Sequence, residues 1–68
     1  MTTEIEGFSM GWHPQKGYVI KYKQKGKTSW DHINPSAADF VAIASIFRES
    51  PVFLSDGWIH TGPEPIGD

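Results

Sequence analysis

The spacing of apolar residues changes period twice along this chain. Residues 4–12 alternate, with Glu6, Phe8, Met10 and Trp12 on one side and Ile5, Gly7, Ser9 and Gly11 on the other. That period of two predicts a half-buried strand. Residues 18–23 alternate again, with Tyr18, Ile20 and Tyr22 on one face and Val19, Lys21 and Lys23 on the other. A third strand is predicted over residues 27–33. From Asn34 to Ser50 the period lengthens to 3.6. Ser36, Ala37, Phe40, Val41, Ile43, Ala44 and Phe47 form one stripe, with Asp39, Ala42, Ser45 and Glu49 opposite, as in an amphipathic helix. Asn34 followed by Pro35 makes one plausible start. Ser36 with Asp39 three residues on makes a second, and Pro51 stops the helix. Residues 51–61 then read as a hairpin about Asp56-Gly57, the sequence signal of a type I′ turn. The predicted fold class is α+β: an antiparallel three-stranded meander, one helix packed on its aromatic face, then a C-terminal hairpin, in the order β-β-β-α-β-β.

Register follows from the turns. A five-residue loop, His13 to Gly17, aligns Trp12 with Tyr18, Met10 with Ile20 and Phe8 with Tyr22. The turn at Gly26 is open to two readings of opposite consequence, because a slip of one residue exchanges the faces of a strand. A two-residue loop, Lys25-Gly26, pairs Lys21 with Trp30 and turns Asp31 onto the apolar face. A three-residue loop with a bulge at Gly26 pairs Tyr22 with Thr28, Ile20 with Trp30 and Tyr18 with His32. The second reading is preferred, since it spares a carboxylate from burial. One face then gathers Phe8, Met10, Trp12, Tyr18, Ile20, Tyr22 and Trp30 to receive Phe40, Ile43, Ala44 and Phe47 of the helix. The placement of the final hairpin, beside the sheet or against the helix, is left open by the pattern. Residues 1–61 are expected to form one domain, with residues 62–68 a flexible tail rich in Pro and Gly.

A chain of 68 residues without cysteine has a small core and no covalent staple, a situation in which self-association often supplies stability. Homodimerisation is therefore expected. Residues 1–15 have no secretory leader pattern and no apolar run approaches the length of a membrane span. A cytoplasmic protein without a membrane partner is the expectation. The net charge of −2 conceals a strong asymmetry. Lys16, Lys21, Lys23, Lys25 and Lys27 crowd residues 16–27 without an acid, while residues 28–68 carry six acids against Arg48. Lysines on an edge hairpin discourage aggregation; beside small residues such as Gly7, Ser9 and Gly11 they also make a shallow positive surface suited to a phosphate backbone.

The sequence contains no recognisable catalytic arrangement. His13, His32 and His60 lie in separate elements without ligand spacing. No serine sits in a nucleophile motif, and the glycines are too dispersed to cradle a phosphate. No catalytic residue, metal or cofactor is assigned, and the protein is read as non-enzymatic. The leading expectation is a small binding or accessory domain acting through protein–protein contacts, self-association first. Its interface residues would be Ile46, near the solvent side of the helix, with Phe53 and Trp58 of the last hairpin. The alternative is weak binding of single-stranded nucleic acid through Lys21, Lys23, Lys25 and Lys27. That alternative strengthens if the turn at Gly26 places Trp30 outside, beside Lys21, where it could stack on a base.

Overall fold

A computed structural model describes residues 2–62 and Glu64. It contains β1 (Thr2–His13), β2 (Gly17–Gln24), β3 (Asp31–Ile33), α1 (Ala37–Phe47), β4 (Val52–Ser55) and β5 (Trp58–Thr61). The five strands form one antiparallel sheet in the order β3-β2-β1-β4-β5. Three meander strands and a fourth that returns beside the first make a Greek key. The long return connection contains the helix. The final hairpin thus extends the sheet through β4, settling the choice the sequence left open. Most of the tail at residues 62–68 lies outside the described residues. No described helix is long and apolar enough to cross a membrane.

β1 is long because it serves two neighbours: Thr2, Thr3 and Glu4 pair with β4, and Ile5 onward with β2. Between these halves the register shifts, with Ile5 opposite Gln24 and Gly7 opposite Lys23. This bulge at Glu6 bends the strand and corrects the simple alternation. Ile5 joins Phe8, Met10 and Trp12 on the helix side, where it is buried. Glu6 is released to solvent and accepts a 2.7 Å bond from the Lys23 ammonium.

The first hairpin has the expected register: Phe8 pairs with Tyr22, Met10 with Ile20 and Trp12 with Tyr18. Gly17 closes it with a φ of 77°. The second hairpin has neither expected register. Ile20 pairs with Ile33, Lys21 with His32 and Tyr22 with Asp31. β3 is therefore three residues long, reached through a connection of residues 25–30. The Lys27 N–H donates to the Gln24 carbonyl, and Gly26 between them has a φ of 92°, which only glycine adopts without strain. Asp31 lies on the helix side without being stranded, because it has partners at the sheet edge. Gln24 donates to it from Nε2 at 3.1 Å, and the Lys27 ammonium stands 4.0 Å away. Trp30 is consequently outside.

The helix uses the second of the two possible starts. Ser36 Oγ accepts the Asp39 N–H at 3.2 Å, while Asn34 instead donates to the Tyr18 carbonyl. Helix residues Phe40 and Phe47 meet Tyr18 and Phe8 with ring centroids 4.5 and 4.3 Å apart. Ile5, Ile20, Phe47 and Val52 form the buried centre, with Phe40, Ile43, Ile46, Ile33, Leu54 and Ile59 packed round it. Two helix assignments change. Val41, expected in the apolar stripe, is 65 % exposed, and Ile46, expected near solvent, packs on the core. Ile33 of β3 and Trp58 and Ile59 of β5, from the two edges of the sheet, line one groove with the helix. A helix held on two sides buries a wider and differently centred stripe than one lying on a flat sheet.

The Asp56-Gly57 turn has the expected left-handed pair, with φ of 49° and 85°, and sets Ser55 against Trp58 and Phe53 against His60. Phe53, Ser55 and His60 share the face away from the helix, whereas Trp58, on the edge strand beside the turn, also lines the groove next to the helix. His60 Nδ1 donates to the Thr61 carbonyl at 3.3 Å, so its Nε2 accepts the Ser55 hydroxyl at 2.9 Å.

Candidate functional site

Two surfaces on opposite faces of the sheet can receive another molecule. On the helix side, a groove of about 570 Å³ runs between α1 and the sheet edges. Ile33, Pro35, Ala42, Ile43, Ile46 and Ile59 make its walls apolar, Trp58 rims it, and Asn34 and Asp39 supply the polar groups. Two of the three residues expected at an interface, Ile46 and Trp58, therefore converge. The third does not. Phe53 lies on the opposite face, its ring stacked on His60 at a centroid distance of 6.0 Å. The groove exists because the chain supplies apolar side chains at both open edges, and no single segment reveals that meeting.

The outer face carries the lysines, but most of them are partnered. Lys23 bonds Glu6 at 2.7 Å, Lys25 stands 3.8 Å from Glu4 and Lys27 4.0 Å from Asp31. The lysine cluster of the sequence is thus interleaved in space with acids from β1 and β3. Of the four lysines singled out, Lys21 alone has no ion pair among the described residues. The Lys23 bond and charge hold the Glu6 carboxyl below the ordinary carboxylate range. On the helix side, burial pushes the Tyr22 phenol up, and the Asp31 charge adds to this.

Beside Lys21 lies the residue the preferred register had hidden. The Trp30 indole reaches over Gly7: its Cη2 is 3.5 Å from where a Cβ on Gly7 would stand. The ring is half exposed, at 51 %. Trp30, Ser9 and Lys21 line a depression of about 260 Å³. A second, of about 240 Å³, shares Ser9 and Lys21 and continues to Gly11 and Val19. Gly7 was the available signal, since a glycine inside a strand marks close approach of another group.

Metal-ligating and nucleophilic side chains are also present among the described residues. No group of three or more His, Cys, Asp or Glu side chains comes together there to hold a metal. Ser55 and His60 are hydrogen-bonded as a nucleophile and base would be, but they are only 3 % and 2 % exposed, which closes them to a substrate. They are better explained as a mutually satisfied polar pair. Comparison with protein-family models, with curated proteins and with solved structures finds no match to this chain.

Proposed function

We propose that this chain is a non-enzymatic binding module whose first partner is a second copy of itself, seated at the groove between α1, β3 and β5. The observation that carries the reading is the convergence of Ile46 and Trp58 on one apolar groove. The thinness of the core adds to it. Among the described residues only Ile5, Ile20, Phe47 and Val52 are buried apolar residues, whereas Phe8, Trp12, Trp30, Val41 and Trp58 are all at least 44 % exposed. A small domain in that condition gains stability by covering apolar surface. A two-fold contact presents the same patch from both sides, and a half-exposed tryptophan on an apolar rim is a typical anchor for it.

Light scattering coupled to gel filtration tests this over a range of concentrations. The wild-type chain is expected at twice its monomer mass in the high micromolar range. Ile46→Glu, which puts a carboxylate in the groove, should give monomer. Trp58→Ala should weaken the dimer by about 2 kcal/mol, the scale of an interface anchor. Phe53→Ala should leave the mass unchanged, because its ring is on the other face. A strictly monomeric wild-type chain at those concentrations overturns the proposal.

A further inference from the structure

The outer face has three properties that the groove lacks, and together they suit a different kind of ligand. The first is a flat aromatic surface. The Cη2 edge of the Trp30 ring comes over Gly7 while the residue stays 51 % exposed, so indole surface is open to solvent. Such a ring offers a stacking plane at little cost in side-chain freedom. The second is a cation that has no ion pair among the described residues. Lys21 stands at the boundary between the two depressions, while its neighbours Lys23, Lys25 and Lys27 face acids within 4.0 Å. The third is a small-residue floor: Gly7, Ser9 and Gly11 alternate along β1 and admit a planar group close to the backbone. Two shallow depressions of similar size, about 260 and 240 Å³, sharing a lysine and a serine, match two neighbouring planar groups joined by an anion.

We infer that the outer face of β1, β2 and β3 binds single-stranded nucleic acid, with one base stacked on Trp30, its neighbour seated over Gly11 and Val19, and the intervening phosphate held by Lys21. The inference goes beyond self-association and uses the opposite face of the sheet. It also reassigns the lysines: Lys21 is the phosphate contact, and Lys23, Lys25 and Lys27 chiefly neutralise Glu6, Glu4 and Asp31. Because the whole chain carries a charge of −2, long-range attraction contributes little and stacking carries the affinity. A duplex, whose bases are already stacked and paired, offers the indole no free face.

Salt dependence separates this site from a generic lysine patch. Each phosphate neutralised on a single strand contributes about −0.7 to the slope of log affinity against log salt. One contact at Lys21 gives a slope of about −0.7, whereas contacts by all four lysines would give about −2.8. The experiment titrates fluorescently labelled oligothymidylate and oligouridylate of twelve nucleotides (roughly the upper range of a single small module), and a labelled duplex, at several salt concentrations.

Saturable micromolar to submillimolar binding of either single strand, with the shallow slope and no comparable duplex binding, is expected. The preferred sugar then identifies DNA or RNA as the source. Trp30→Ala should weaken binding about tenfold to a hundredfold, the range of one stacked base, with the melting temperature nearly unchanged because the ring is outside the core. Lys21→Gln should bring the slope close to zero, while Lys25→Gln and Lys27→Gln leave it unaltered. No binding at millimolar protein, equal binding of duplex, or unchanged affinity in Trp30→Ala overturns the inference.

Discussion

The two faces of the sheet use aromatic residues in opposite ways. On the helix side Phe8, Tyr18, Phe40 and Phe47 meet in ring pairs around Ile20, which is fully buried. On the outer face of β1, β2 and β3 the edge of the Trp30 indole comes over Gly7 and the residue stays half exposed. Stability is concentrated on the first face, and the second is left free to bind. The lesson is that an aromatic residue in an alternating segment does not declare its side. The length of the loop before it decides.

Substitutions on the two faces should therefore separate stability from binding. The largest effect is expected for Ile20→Ala, which empties the centre of the core and should cost about 2–5 kcal/mol in denaturant unfolding. Trp30→Ala, although it removes a larger side chain, should cost far less. Comparable losses would show that the indole belongs to the core. Next comes His60→Ala, which strands the buried Ser55 hydroxyl and should cost about 1–3 kcal/mol. The double substitution Ser55→Ala/His60→Ala should cost less than the two single effects added together.

A finer test acts on the seat of the indole. Gly7→Ala adds a Cβ at an ordinary contact distance of 3.5 Å from Trp30 and should leave the ring in place. The γ carbons of Gly7→Val reach further and should lift it. The indole N–H resonance of Trp30 should then shift in the valine variant and hardly move in the alanine variant, with stability altered by less than about 1 kcal/mol in either.

The smallest effect is electrostatic. Glu6 has a lowered pKa in the folded chain because it accepts the Lys23 bond. Its contribution is present above the ordinary carboxylate value and is lost as pH falls through the folded value. Stability of the wild-type chain should therefore fall slightly more on acidification than that of Glu6→Gln. At the other end, the raised Tyr22 phenol is favourable below the ordinary tyrosine value. That contribution fades as pH climbs from there through the folded value, and Tyr22→Phe should abolish the fading.

Much of the fold was legible because it is local. Pro and Gly between His13 and Gly17 dictated the first hairpin and its register. Asp56-Gly57 dictated the last turn, and the 3.6-residue period located the helix. The missed features depend on distant partners. Asp31 could face the helix because Gln24 and Lys27 reach it, and that pairing exists only once the sheet forms. The bulge at Glu6 is invisible to alternation, yet it moves Ile5 from one face to the other. Helical spacing alone sets Ile46 near solvent, whereas side chains from both sheet edges meet the helix and Ile46 packs on the core. Of the three residues expected at an interface, Ile46 and Trp58 line one groove and Phe53 does not, a meeting that no single segment encodes. Trp30 was assigned to the core by a register three residues from the real one.

The position of that indole is the claim on which the outer-face account rests, and nuclear Overhauser spectroscopy tests it most directly. Cross-peaks between the Trp30 ring and the Gly7 Hα protons are predicted, with none to Ile20 or Phe40. Cross-peaks from the ring to Ile20 or Phe40, with none to Gly7, would return Trp30 to the core and contradict the account.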